Sequence, residues 1–157
     1  MSLRIDFRTS DPAAYRALSA TQEYIHNSGL PKPLIHLVFT RASQINGCAF
    51  CLDMHTREAL ADGESPQRLY TLSAWRETSF FTEQERAVLA LTEHVTRVSE
   101  HGVPDAIYED AARFFDKSQM LALLIAISTI NTWNRMVIST GTQPVASKET
   151  RALRAAS

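Results

Sequence analysis

The sequence predicts an all-α single domain of about seven helices, and three observations lead there. Helix caps and stops recur along the chain, apolar residues repeat near the 3.6-residue period, and no period-two strands joined by hairpin dipeptides appear. With 157 residues and 45% apolar content the chain is long enough for one domain with its own core.

The elements follow in order. Ser10-Asp11 before Pro12 is a capping pair with proline at the first helical position, and Gly29 and Pro31 close that helix. Residues 34–45 form a second apolar segment leading into Asn46-Gly47. Asn46 is expected to cap a third helix that runs through the two cysteines to Gly63, a glycine placed to end it in left-handed geometry. Ser65-Pro66 starts a short fourth helix ending around Trp75 to Thr78. Thr82 and Glu85 make a capping box before Val88, Leu89, Leu91, Val95 and Val98. Pro104 opens the sixth helix, with Phe114 and Phe115 on its inner face. Ser118 is read as the cap of the last helix, residues 119–140, which is apolar around its circumference and so belongs in the core or in a subunit contact. Residues 142–157 are small and polar, and are expected to be a loose tail after a domain at 1–141.

Composition narrows the function classes. The formal net charge is −1 with no block of like charge, which argues against a nucleic-acid or anionic membrane partner. The N-terminus lacks an apolar signal core, and the apolar run 120–130 is too short to span a bilayer. A cytoplasmic location is expected. There, an isolated C-x-x-C pair points to redox chemistry or metal rather than to a structural staple.

The only cysteines are Cys48 and Cys51, and His55 follows one helical turn later. On a helix at about 100° per residue all three fall within the apolar stripe, facing a half-buried pocket, while Asp53, Thr56 and Arg57 point outward. Cys48, near the helix start, gains from unpaired amide N–H groups. Cys51 lies within reach of the imidazole. Each effect lowers a thiol pKa, and spacing alone leaves open which cysteine is the stronger acid. A dithiol/disulfide site is favoured over zinc: Cys48, Cys51 and His55 supply three ligands and His36 could be a fourth, but three ligands on one short helix would be strained and no second ligand pair appears. No cofactor or metal is expected.

The segment from Arg41 through Asn46-Gly47-Cys48-Ala49-Phe50-Cys51 to His55 resembles the AhpD-like alkylhydroperoxidases of the carboxymuconolactone decarboxylase superfamily. Residues 68–77, 80–86 and 130–135 extend the resemblance, which covers the chain to about Ile138. It implies an AhpD-like helical fold, a homo-oligomer (trimer or hexamer), and reduction of hydroperoxides through a dithiol/disulfide cycle. It further implies that Cys51 attacks the peroxide, His55 relays a proton and Cys48 resolves the sulfenic acid. A dithiol reductant, lipoylated or thioredoxin-like, would then reopen the disulfide. One position departs: twelve residues before Cys48 the family motif has glutamate, and this chain has His36. His36 supplies no negative charge, so His55 is expected to lack its carboxylate unless His36 bonds to it, since Asp53 and Glu58 look outward or marginal. The competing readings are a disulfide relay or redox sensor with little peroxide turnover, and a non-redox scaffold. A decarboxylase is weakest, because that chemistry does not call for a vicinal dithiol.

Overall fold

A computed structural model describes residues 2–155, and within them every regular element is helical. Helix α1 spans Phe7–Ser10, α2 Pro12–His26, α3 Lys32–Asn46, α4 Ala49–Ala61 and α5 Pro66–Thr71, which runs into a 3-10 turn at Leu72–Glu77. Then come α6 at Glu83–Thr96, α7 at Val98–His101, α8 at Asp105–Ala112, α9 at Lys117–Thr140 and α10 at Lys148–Ala155. The seven expected helices are present. Two short ones at the ends were not expected, and the fifth is broken at Arg97 into α6 and α7.

Helix α3 is the axis of the fold. Every residue from Leu34 to Thr40 is buried, so this helix is enclosed by α4, α6 and α9. Val38 and Ala42 of α3, Val88 and Leu91 of α6, and Leu123 and Ile127 of α9 belong to one continuous core. A smaller cluster forms where Leu37 meets Leu72, Trp75, Phe81 and Leu89.

Most caps are those the sequence announces. Asp11 accepts hydrogen bonds from the amides of Ala13 and Ala14 at 3.0 Å each. Thr82 and Glu85 exchange both capping-box bonds. At α9 the cap is Asp116 with Gln119, not Ser118, because a carboxylate three residues before Gln119 completes a reciprocal box. Helix α9 has 24 residues and contains an 18-residue window of mean hydropathy 1.4, long and apolar enough to cross a membrane, unlike the shorter run 120–130 read from the sequence. Here its apolar side fills the core of a helical domain. Residues 142–147 lack regular structure, and α10 follows within the segment expected to be loose; residues 156–157 of that segment lie outside the described residues.

Two ionic clusters draw on the matched stretches 68–77 and 80–86. Glu93 receives Arg41 Nε at 2.8 Å, Trp75 Nε1 at 2.9 Å and Arg76 Nη1 at 2.6 Å. Burial alone would raise the Glu93 carboxyl pKa, but these donors outweigh it and hold it low. Arg68 pairs with Glu64 at 2.9 Å and with Glu85 at 2.6 Å, and also donates to the Phe80 carbonyl. These groups tie α3, α5, the 3-10 turn and α6 together.

Candidate active site

The turn between α3 and α4 creates the site. Gly47 adopts φ 67°, ψ 31°, a left-handed conformation that ends α3. Asn46 is therefore the last residue of α3 and not a cap. Cys48 takes the cap position of α4, with extended φ −85°, ψ 96°. Cys48 stands one residue outside the helix, and its side chain makes no cap hydrogen bond. The Cys51 thiol, the Cys51 and Phe50 amides and the Asn134 side chain are the surroundings that favour its ionised form.

These surroundings separate two chemically identical groups. The Cys51 S–H donation, aided by the amides and Asn134 and opposed by burial, lowers the Cys48 pKa from the usual 9.0 to about 7. Cys51 moves the opposite way, because its proton is held by the Cys48 sulfur and because it too is buried. When the pair loses its first proton, the charge falls to Cys48 and not to Cys51. Both residues are free thiols and both are buried.

Cys51 and His55 lie together on the wall of a cavity of about 500 Å³, and Cys48 sits behind them. Phe39, Phe50, Met54 and Trp133 give this cavity an apolar interior, while His26, Lys32 and Glu58 are among its polar lining. Phe7 of α1 packs on Tyr15 and Trp133 with ring centroids 5.9 and 5.8 Å away, so the first short helix walls the cavity from the N-terminal side. The His55 ring is packed against Phe39 at a centroid distance of 4.9 Å.

The carboxylate expected to be missing is present, from a different position. His55 Nδ1 is 2.9 Å from Glu58 Oε2, three residues along the same helix. That contact pulls the Glu58 carboxyl below its ordinary range, against the effect of its partial burial. With Nδ1–H donating to Glu58, the other ring nitrogen is the one left to exchange protons. His36 lies on the cavity wall, but its Nε2 is 2.6 Å from Asp62 Oδ2, and Asp62 also binds Lys32 at 2.8 Å. A direct His36–His55 bond, left open by the sequence, is not formed; two separate acid–histidine pairs stand in its place. On a wheel Glu58 falls about 60° from His55, and its side chain bridges the i,i+3 spacing.

Asn134 was unrecognised as a site residue for another reason: it is 86 positions from Cys48 and only tertiary packing unites them. Trp133 is 92% buried and also lines the cavity, with its Nε1–H unpartnered. Among the described residues no group of three or more His, Cys, Asp or Glu side chains is arranged to hold a metal ion.

Residues 12–94 match the carboxymuconolactone decarboxylase family. The uncharacterised protein YdfG of Bacillus subtilis (strain 168) is 38% identical over 141 residues, which cover 90% of this chain and 96% of that protein. The chain belongs to this family. It is an AhpD-like member: the crystal structure of ATU0492 from Agrobacterium tumefaciens, described as a protein of unknown function and putative antioxidant defence protein AhpD, superposes with a TM-score of 0.90. That pair is 40% identical, over 93% of this chain and all of that one. The debrominase Bmp8 shares the fold with a TM-score of 0.75, at 18% identity over 86% of this chain and 73% of its own. The same fold therefore occurs in a protein described as a putative antioxidant defence protein and in a debrominase.

Proposed function

We propose that this AhpD-like protein is a thiol-dependent peroxidase-type oxidoreductase that reduces organic hydroperoxides through a Cys48–Cys51 dithiol/disulfide cycle. The observation that carries the proposal is the division of labour in the pair. Cys51 meets the cavity beside His55, and Cys48 waits behind it as a thiolate.

Cys51 sulfur attacks the distal peroxide oxygen and breaks the O–O bond. Its proton passes through His55 to the departing alkoxide, which leaves as an alcohol, and Cys51 becomes a sulfenic acid. The Cys48 thiolate attacks the Cys51 sulfur, forming the disulfide and expelling hydroxide, which leaves as water after taking a proton. Two electrons have moved from the thiols to the peroxide. An external dithiol, lipoylated or thioredoxin-like, restores the thiols by exchange and is itself oxidised to a disulfide. The residues that act are Cys51, Cys48 and His55, with Glu58 holding the imidazole; His36 shapes the cavity wall with Asp62.

Apolar walls favour a hydroperoxide with a hydrocarbon body over hydrogen peroxide itself. The proposal includes a homo-oligomer, trimer or hexamer. A groove of about 450 Å³ between α2 and α9, lined by Leu18, Leu121, Leu124 and Ile125, offers an apolar contact. Leu121 on it is 56% exposed. A cytoplasmic location accords with free thiols.

The decisive experiment is a brief exposure of the reduced protein to an organic hydroperoxide, followed by thiol counting. Both thiols should disappear together, and Cys48→Ser should trap a Cys51 sulfenic acid reactive toward a dione probe. Steady-state consumption with a lipoyl dithiol tests turnover. Thiol oxidation without turnover would favour the disulfide-relay reading, which the deep burial of both sulfurs supports. Two intact thiols after exposure would rule out both.

A further inference from the structure

We infer that the cavity beside the dithiol takes a substrate with a carboxylate on an apolar body, a hydroperoxy acid, and that Arg8 is the residue that selects the carboxylate. The hydroperoxide half rests on the peroxidase proposal above; the carboxylate half rests on donors that the chain leaves without acceptors.

Arg8 lines the cavity that holds Cys51 and His55. Its guanidinium carbon lies 5.6 Å from the centroid of the Tyr15 ring, a cation–π contact that holds the group at the cavity wall. Among the described residues the guanidinium has no carboxylate within salt-bridge reach, and the acids nearest in sequence are used elsewhere. Asp6 Oδ1 accepts the Arg8 backbone amide at 3.0 Å, and Asp11 Oδ1 accepts from Ala13 and Ala14, so both serve as helix caps. The remaining charges of the wall are matched or distant. Lys32 pairs with Asp62 at 2.8 Å, and Glu58 with His55 at 2.9 Å. Glu23 lies eight residues past Tyr15 on α2, roughly 12 Å along the helix axis.

A second unmatched donor marks the Arg8 end. Trp133 lines the same cavity, with its ring 5.8 Å from Phe7 and 5.8 Å from Tyr15, the ring that Arg8 covers. Its Nε1–H is buried without a hydrogen-bond partner among the described residues, and such a donor gains from an acceptor. Three aromatic rings, a guanidinium and an indole N–H thus gather at one end of the cavity. That set suits an apolar body ending in anionic oxygens. A carboxylate meets the guanidinium fork with two parallel bonds. Its single charge also matches one cation, whereas a phosphate monoester carries nearly two. A volume of about 500 Å³ is within the range that encloses a small organic ligand.

The test separates binding from chemistry. Calorimetry on the reduced protein compares para-isopropylbenzoate with the neutral para-isopropylbenzamide. The carboxylate should bind about tenfold tighter, and added salt should erode the difference. Arg8 is exposed at the surface, so its variants should fold. Arg8→Gln should abolish the carboxylate preference, and Arg8→Lys should keep part of it. No binding, equal affinity in the wild type, or a preference that survives in Arg8→Gln overturns the inference. The matching hydroperoxides are cumene hydroperoxides bearing a para carboxylate or a para carboxamide. At low concentration the acid should consume the two thiols about tenfold faster; equal rates overturn the substrate assignment. Intact thiols with both hydroperoxides, beside a carboxylate preference in calorimetry, would sink the peroxidase proposal and leave the carboxylate site supported.

Discussion

Replacing Cys51 with alanine removes the strongest hydrogen bond to the Cys48 sulfur and leaves a single thiol to observe. In the wild type the fall from 9.0 to about 7 means that roughly half of Cys48 is thiolate at neutral pH, where an ordinary cysteine would be about 1% ionised. That difference is worth at most about 2.7 kcal/mol. The amides of Phe50 and Cys51 and the Asn134 donor remain in the variant, set against burial, which acts the other way. The midpoint should therefore climb back toward 9.0, and the thiolate fraction at neutral pH should drop about tenfold or more. Ultraviolet absorbance against pH measures this, and Cys48→Ala gives the complementary case, in which Cys51 loses the partner that holds its proton. The same shift predicts a pH dependence of stability. A group with a depressed folded-state pKa stabilises fully above the unfolded value and loses that contribution as pH falls through the folded one. Reduced wild type should gain resistance to urea between about pH 7 and pH 9, and the disulfide form should lack this slope. Above that window the raised Cys51 pKa works in the opposite direction, because only the unfolded chain then ionises there. A wild-type midpoint at the ordinary thiol value, or a Cys51→Ala midpoint still near 7, would refute the reasoning.

Three further outcomes are expected. Glu58→Gln should slow peroxide-driven thiol loss about tenfold, near the low end for such supports because Glu58 is 51% exposed, while leaving the Cys48 midpoint in place; since His55 holds the Glu58 carboxyl below its usual range, the acid limb of the wild-type rate profile should lie below that range and vanish in the variant. Glu93→Ala should destabilise the fold by about 3–5 kcal/mol in urea titration, because Arg41, itself nearly buried, is left without its acid. Gly141→Ala should cost at least about 1–2 kcal/mol, seen as a melting temperature lower by several degrees, since φ is +76° and an added Cβ would meet the Ser2 carbonyl oxygen at 2.5 Å.

Much of the scaffold was legible because helix ends are local chemistry. Asp11 with Pro12, Ser65 with Pro66, and Thr82 with Glu85 start helices using groups within three residues of one another. The misreadings were also local, where two caps competed. Asn46-Gly47 serves equally as a start or a stop, and the chain uses it as a stop; Asp116 outcompetes Ser118 because it pairs with Gln119. The stop at Asn46-Gly47 moved Cys48 from the first turn to the cap position of α4.

Within the site, the sequence by itself determined the reacting trio of Cys48, Cys51 and His55, since one turn of helix unites them. It left the two thiols equivalent and the histidine short of an acid. Only the structure decided that the charge falls to Cys48 and that His36 turns to Asp62; the Glu58 support of His55 is local to α4, three residues along the same helix, and lay within reach of the sequence. The physical reason is one of reach. Helical spacing fixes which side chains share a face, whereas hydrogen-bond partners and solvent exclusion depend on α3 and α9 closing over that face from distant parts of the chain.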